Sequence, residues 1–222
     1  MVGEETFQRY RKTRVIVFGV GGVGSWCAEA LARSGIGHLT LVDFDTVCET
    51  NINRQLLALD STIGKPKVEV LKDRLEDINP DAEIVALETR YSESNSDSFG
   101  LESFDFVIDA IDSLKDKAHL IRTVTAMERP VLFSSMGAAL KMDPLRIRKS
   151  EFWKVKGDGL ARALRNLFRK EDSYPAKKFQ CVWSDEVLAN KGEAEPGKRI
   201  NGSIAHTTAA FGLALAGMVL EK

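Results

Sequence analysis

An α/β domain, Rossmann-like and doubly wound around a mostly parallel sheet, is what this sequence predicts, and three observations carry the prediction. Short apolar runs alternate with stretches of helical periodicity, and a glycine-rich turn joins the first run to the first such stretch. No internal repeat, low-complexity tract or Pro/Gly/Ser-rich linker divides the 222 residues, a length that buries a substantial core as one domain.

The elements follow in order. "RVIVFG" (14–19) is a buried strand ending in glycine, and the next stretch repeats Val23, Cys27, Ala30 and Leu31 at helical spacing before a second strand, "HLTLVDFD" (38–45). Together they form a βαβ unit. "KPKVEVLKDRLEDINP" puts Val68, Leu71, Leu75 and Ile78 on one helix face and stops at Pro80, and "AEIVALE" is the strand after it. "FDFVIDAID" and "PVLFSS" continue the alternation, with a helix around Lys115 to Met127 between them. From about residue 138 the rhythm changes. "DPLRIRKS" and "KFQCVWSD" read as strands flanking a basic helix, "GLARALRNLFRK", in which Leu160, Leu164, Leu167 and Phe168 face the core while Arg162, Arg165 and Arg169 point outward. These C-terminal strand and helix additions are expected to extend the same domain. "NKGEAEPGKRING" (190–202) reads as a loop, and Ile204 to Leu220, entered through Gly202 and Ser203, as a buried helix. Its 17 residues carry His206, Thr207 and Thr208 and fall short of a comfortable membrane span.

Three widely spaced cysteines, Cys27, Cys48 and Cys181, argue against a disulfide framework and a four-cysteine zinc site, and for a reducing cytoplasm. The formal net charge is only −1, yet residues 141–178 hold 12 Lys or Arg against 5 Asp or Glu. Segregated positive charge favours a polyanionic partner, and it equally describes a solvated face.

"GVGGVG" (19–24) fits a dinucleotide fingerprint: Gly19 for the turn, Gly21 and, beside it, Gly22 for approach of backbone to phosphate, Gly24 for packing of helix on sheet. Helix-terminal amides would then face the anion. Asp43 ends the next strand, 19 residues after Gly24, where a carboxylate accepts from ribose hydroxyls. A nicotinamide dehydrogenase would satisfy that much. An enzyme that uses ATP must in addition stabilise charge as phosphates are transferred or expelled, which calls for fixed cations. Arg54 and Lys67 supply them after the second strand, folding back over the glycine loop, and Asn51, Asn53 and Gln55 would position the same phosphate groups. "DAID" places Asp109 and Asp112 at the C-terminal end of a strand, where open α/β sheets bind ligands. Asp109 suits a structural role and Asp112 a magnesium ion bridging phosphates.

The stretches "GVGGVGS", "LVDFDTVCETNINRQ", "GKPKVEVL" and "DAIDS" resemble the adenylating domain shared by ubiquitin-activating enzymes and the bacterial molybdopterin- and thiamine-pathway adenylyltransferases. The resemblance implies that Asp43 holds the ribose, that Asn51, Arg54 and Lys67 hold phosphates, and that Asp112, with Ser113 after it, serves the magnesium of ATP. Within that superfamily, "SSMGAALKMDPLRIRKSEFWKVKGDGLARALRNLFRK" and "CVWSDEVL" are most similar to the tRNA threonylcarbamoyladenosine dehydratases. That likeness implies adenylation of the carboxylate of threonylcarbamoyladenosine beside the anticodon, then ring closure with loss of AMP. It divides the chain into a nucleotide-binding part, about 12–137, and a tRNA-facing part, about 138–222, where Arg148, Lys154, Lys156, Arg162, Arg165 and Arg169 would meet the RNA. It also implies a homodimer. The family commonly carries an arginine ahead of the position of Val2 that reaches the partner's nucleotide, and neither Arg9 nor Arg11 is an obvious substitute. The other activity the superfamily offers is activation of the C-terminus of a ubiquitin-like sulfur carrier, with a sulfur-transfer partner and Cys181 as acceptor. Because the attacking nitrogen of the tRNA substrate is tethered to the acyl group, no cysteine nucleophile is required; Cys27 and Cys181 read as packing residues.

Overall fold

The computed structural model describes residues 2–190 and 201–222; most of the expected loop at 190–202 lies outside the described residues. Strands β1 (Arg14–Phe18), β2 (His38–Asp43), β3 (Glu83–Glu88), β4 (Phe106–Asp109), β5 (Val131–Ser135), β6 (Ile147–Glu151) and β7 (Gln180–Ser184) form one seven-stranded sheet. Its order is β3-β2-β1-β4-β5-β7-β6, parallel throughout except where β6 runs antiparallel to β7 at the edge. Strand order reverses on either side of β1, so the crevice between the C-terminal ends of β1 and β4 is the topological switch point at which such sheets bind ligands.

Both faces of the sheet are covered, which is why the central strands read as continuous apolar runs. Along β1, Val15 and Val17 enter one core while Ile16 and Phe18 enter the other, the two-residue period of a strand. The first core is closed by α2 (Gly24–Arg33), α3 (Lys67–Ile78) and α6 (Ala205–Leu220). The second is closed by α4 (Leu114–Ala126) and α5 (Gly159–Lys170). The C-terminal segments expected as additions are thus part of the sheet and of its two helical layers.

One helix escaped the sequence reading, α1 (Glu4–Lys12). It buries only Tyr10, whose hydroxyl donates to the Leu220 carbonyl at 2.6 Å, so it lacks the apolar stripe that reveals a core helix. Its signal was electrostatic instead: Glu4 and Glu5 occupy the first turn and Arg9, Arg11 and Lys12 the last, complementing the helix dipole.

Helices α2 and α3 are joined by Glu29, which accepts from Arg74 at 2.6 Å and 3.0 Å and pairs with Arg33 at 2.8 Å. Burial pushes this carboxyl up, but the hydrogen bonds and charges of Arg74 and Arg33 outweigh it and leave the group below its ordinary value. A carboxylate whose pKa is depressed on folding adds stability above its unfolded value, near 4.3, and loses it as the pH falls through the folded value. Glu29→Gln should therefore melt at a lower temperature than the parent at pH 7, and thermal melts taken down to pH 3 should show the difference closing below about pH 4.

Candidate functional site

A cavity of about 700 Å³ opens at the switch point. Its floor is the turn after β1. Gly19 adopts φ +84°, and a Cβ there would meet the Ala110 carbonyl oxygen at 2.7 Å; a Cβ on Gly24 would stand 1.8 Å from the Gly19 carbonyl oxygen. Only glycine permits that closeness, which seats the start of α2 against the end of β1. Gly19, Gly21 and Gly22 line the cavity. Gly24, expected among the cofactor-binding residues, does not: it acts behind the wall, through packing.

Asp43 closes one rim. Its Oδ2 accepts from the Val20 amide at 2.8 Å and its Oδ1 from the Asp45 amide at 2.9 Å, so the carboxylate is oriented by backbone and keeps further acceptor capacity toward the cavity it lines.

The amide-rich turn after β2 supplies another part of the wall, packed on the glycine turn. Asn51, buried, accepts from the Cys48 amide at 3.1 Å and so folds the turn that carries Arg54. Arg54 donates from Nη1 to the Thr50 carbonyl at 2.8 Å, and its Cγ lies 3.3 Å from where a Cβ on Gly22 would be. Gln55 is buried on the same wall, its acceptor Oε1 without a donor among the described residues. Lys67, the first residue of α3, is 5% exposed and reaches Asp45 at 2.7 Å. Asn53 is exposed and lies outside the wall; it accepts from Arg54 Nη1 at 3.0 Å and donates to the Ser203 carbonyl at 2.8 Å, so it orients the guanidinium and ties the turn to the segment before α6. The turn alternates inward and outward, and sequence alone did not say which amide was which.

The third wall follows β4. Asp109 is fully buried and accepts from Lys117 at 2.9 Å, from the Ser134 hydroxyl at 2.7 Å and from the Ile111 amide at 3.1 Å. Lys117 also donates to the Ile111 carbonyl at 3.0 Å, so this pair clamps the turn presenting Asp112 and Ser113 to the cavity. Asp112 is exposed and has no hydrogen bond or ion pair to another described residue. The sequence reading missed Phe44, Arg90 and Tyr91, which also line the cavity. The Arg90 guanidinium lies 5.5 Å over the Phe44 ring and bonds Asp116 at 2.6 Å, contacts between β2, β3 and α4 that no local motif records.

Comparison with known proteins agrees with this architecture. The model of the ThiF family matches residues 1–222. The chain belongs to the ThiF family. It is 45% identical over 185 residues to the tRNA threonylcarbamoyladenosine dehydratase of Bacillus subtilis, covering 83% of this chain and 72% of that protein. Against the Escherichia coli enzyme of the same description the identity is 35%, over 100% of this chain and 90% of that protein. The crystal structure of E. coli tRNA N6-threonylcarbamoyladenosine dehydratase in complex with ATP matches with a TM-score of 0.89 at 34% identity, covering 99% of this chain and 88% of that one.

In this ThiF-family chain the basic segment reaches the site through α5, whose Leu160 lines the cavity. Arg162, Arg169, Lys154 and Lys156 are exposed and have no ion pair among the described residues. Arg148 is shared between Asp185, at 3.4 Å, and the face of Trp183, 5.7 Å from the ring centroid. Arg165 corrects the helical-wheel expectation. It donates to the carbonyls of Phe152 at 3.1 Å and Val155 at 2.6 Å and lies 5.3 Å over the Phe152 ring, so it holds the chain before α5 and does not point outward. Cys27 and Cys181 are buried as expected; burial pushes both thiols up, Cys181 to about 12, which leaves almost no thiolate near neutrality. No helix among the described residues is long and apolar enough to cross a membrane.

Replacing one member of a buried ion pair strands the other charge. Lys117→Met should lower unfolding stability by about 3–5 kcal/mol, measured by urea titration, because Asp109 keeps its burial and loses its cation.

Proposed function

We propose that this protein is an ATP-dependent tRNA threonylcarbamoyladenosine dehydratase whose nucleotide site is the switch-point cavity. The observation that carries the reading is that two cations, Arg54 and Lys67, line the same cavity as Gly21 and Gly22, with Arg54 packed on the Gly22 backbone. A pyrophosphate held by a glycine turn needs neither; a triphosphate from which pyrophosphate departs needs both, because negative charge grows on the leaving group.

In this reading Asp43 accepts from the ribose, Gly19, Gly21 and Gly22 let the backbone approach the phosphates, and Asn51, Arg54, Gln55 and Lys67 hold them. Lys67 exchanges its bond to Asp45 for phosphate oxygen, and Gln55 holds phosphate as a donor through Nε2, which lies 3.5 Å from where a Cβ on Gly21 would be. Asp112, beside Ser113, suits magnesium: a hard carboxylate without a partner among the described residues, in a place where phosphates would complete the shell. Bound there, the ion would neutralise phosphate charge. A carboxylate oxygen of the threonylcarbamoyl group attacks the α-phosphorus and pyrophosphate leaves. A nitrogen of the same group then attacks the acyl carbon, its proton is lost, and AMP departs, closing a ring in a nucleoside lighter by one water. The tether gives this second step its effective molarity.

The chain from about 12 to 137 serves the nucleotide, and that from about 138 to 222 the tRNA, through Lys154, Lys156, Arg162 and Arg169, with Arg148 at the margin. The enzyme acts in the cytoplasm as a homodimer, for which the exposed Met142, Leu145 and Val187 offer apolar surface. Activation of a sulfur carrier is the weaker reading: the molybdopterin-synthase adenylyltransferase of Haemophilus influenzae matches only 61% of this chain, and a sulfur-transfer partner would find only Cys48 exposed.

Incubation with ATP, magnesium and threonylcarbamoylated tRNA, followed by nucleoside mass spectrometry, should show loss of one water; an unchanged nucleoside alongside active ATP turnover would overturn the reading. Arg54→Ala or Lys67→Ala should slow turnover on the order of 100-fold while tRNA binding, measured by filter retention, stays near the parent value. Arg162→Glu should do the reverse, weakening tRNA binding and flattening its salt dependence.

A further inference from the structure

Two aromatic side chains stand at the surface beside the basic helix. Trp153 is 40% and Tyr174 49% exposed, and their ring centroids are 6.4 Å apart. Neither is loose. The Trp153 ring contacts Phe152 at 5.1 Å and Phe168 at 6.5 Å, and its amide is capped by Glu151 at 3.0 Å. Tyr174 sits on a connection fixed by Arg122, which donates to the Ser173 carbonyl at 3.0 Å, and by the Thr125 hydroxyl, which accepts from the Ala176 amide at 3.1 Å. The core beneath is already filled by Phe152, Phe168 and Phe179. Hydrophobic burial therefore does not explain why two large rings are held outward.

Their surroundings name the occupant. Lys154 follows Trp153 directly and Arg169 follows Phe168; both are exposed and without an ion pair among the described residues. Of the acids in the turn after α5, Glu171 is paired with Arg122 at 2.6 Å, and the Asp172 carboxylate has no ion pair among the described residues. Rigid exposed rings flanked by unneutralised cations match an unpaired nucleotide, whose base offers a π-face and whose phosphates offer charge. We infer that Trp153 and Tyr174 form a stacking platform for an unpaired base of the tRNA, next to the nucleotide that reacts in the cavity. Along α5, Leu160 lines the cavity and Phe168 backs the platform, about 12 Å apart at 1.5 Å per residue, so the stacked base is a near neighbour of the reacting one. The inference rests on the tRNA-modifying reading and adds to it a site that reads stacking and not charge.

Filter binding of unmodified tRNA across a salt series tests it. Trp153→Leu and Tyr174→Leu should each weaken binding about tenfold while leaving the slope of affinity against salt unchanged, because no charge is lost. Trp153→Phe, which keeps a π-face, should restore most of the affinity. Arg169→Gln should instead reduce the salt slope by about one. An excess of fully paired RNA should compete less well than an anticodon stem-loop against the parent, and the two should compete equally against Trp153→Leu. If both leucine variants bind like the parent while Arg169→Gln changes the slope, the platform is wrong and the tRNA reading stands. If the parent itself fails to retain tRNA, both fall. Tyr174→Leu, on an exposed connection, decides the matter should Trp153→Leu unfold.

Discussion

The close approach of the Gly24 backbone to the Gly19 carbonyl is the constraint on which the rest of this molecule depends. With 1.8 Å between that oxygen and the place a Cβ would take, no side chain is tolerated, and α2 begins directly against the end of β1. The consequence is spatial before it is chemical. Helix α2 seated that low leaves the Gly21 and Gly22 backbone at the cavity floor, brings Trp26 within 3.2 Å of the Arg54 carbonyl, and so fixes the turn from which Arg54 extends. Asp43, reaching across to the Val20 amide, registers the second strand against the same turn. A site assembled by backbone contact is already in place before a ligand enters, so less ordering remains for the nucleotide to impose.

Two kinds of positive charge serve two ends, and the structure separates them by what neutralises them. Inside, Lys117 is matched to Asp109 in full burial, and Lys67 to Asp45; each cation has one carboxylate within 2.9 Å. The first pair is wholly enclosed and holds a turn. The second opens onto the cavity, where a more highly charged anion can displace the carboxylate. Outside, Lys154, Lys156, Arg162 and Arg169 are exposed and have no ion pair among the described residues, an arrangement that contributes little to stability and much to the long-range field.

What the sequence made legible was whatever depends on neighbours along the chain. The glycine turn, the acid ending β2, the cations after it and the acid after β4 announce themselves by spacing, and the cavity collects nearly all of them. What it hid depends on contacts across the sheet or on which way a turn faces. Helix α1 carries no apolar stripe because it packs through a single tyrosine. The antiparallel β6 at the edge could not be ordered relative to β7, since that pairing spans some thirty residues that include α5. Arg165 lies on the polar side of its own helix, yet the 3₁₀ turn Phe152–Lys154 passes over that side and offers it carbonyls. Phe44 and Arg90 meet only because β2 and β3 are adjacent.

The fate of the cysteines connects fold to chemistry. An enzyme that passes an acyl group to an external acceptor gains from a thiolate that stores it, and thiolates need access and a depressed pKa. Cys181 has neither: it is enclosed in the second core, its sulfur directed to the Ser150 carbonyl at 3.4 Å, in a strand that cannot move without opening the sheet. Chemistry in this cavity is then best matched to a substrate that carries its own nucleophile, positioned by the macromolecule to which it is attached. In the proposed reading the scaffold must grip that macromolecule a short distance away, and α5 runs from the cavity wall at Leu160 to exposed cations and rings near its C-terminal end. Core packing and the proposed recognition surface thus meet in a single helix, whose buried face fixes where its exposed cations stand.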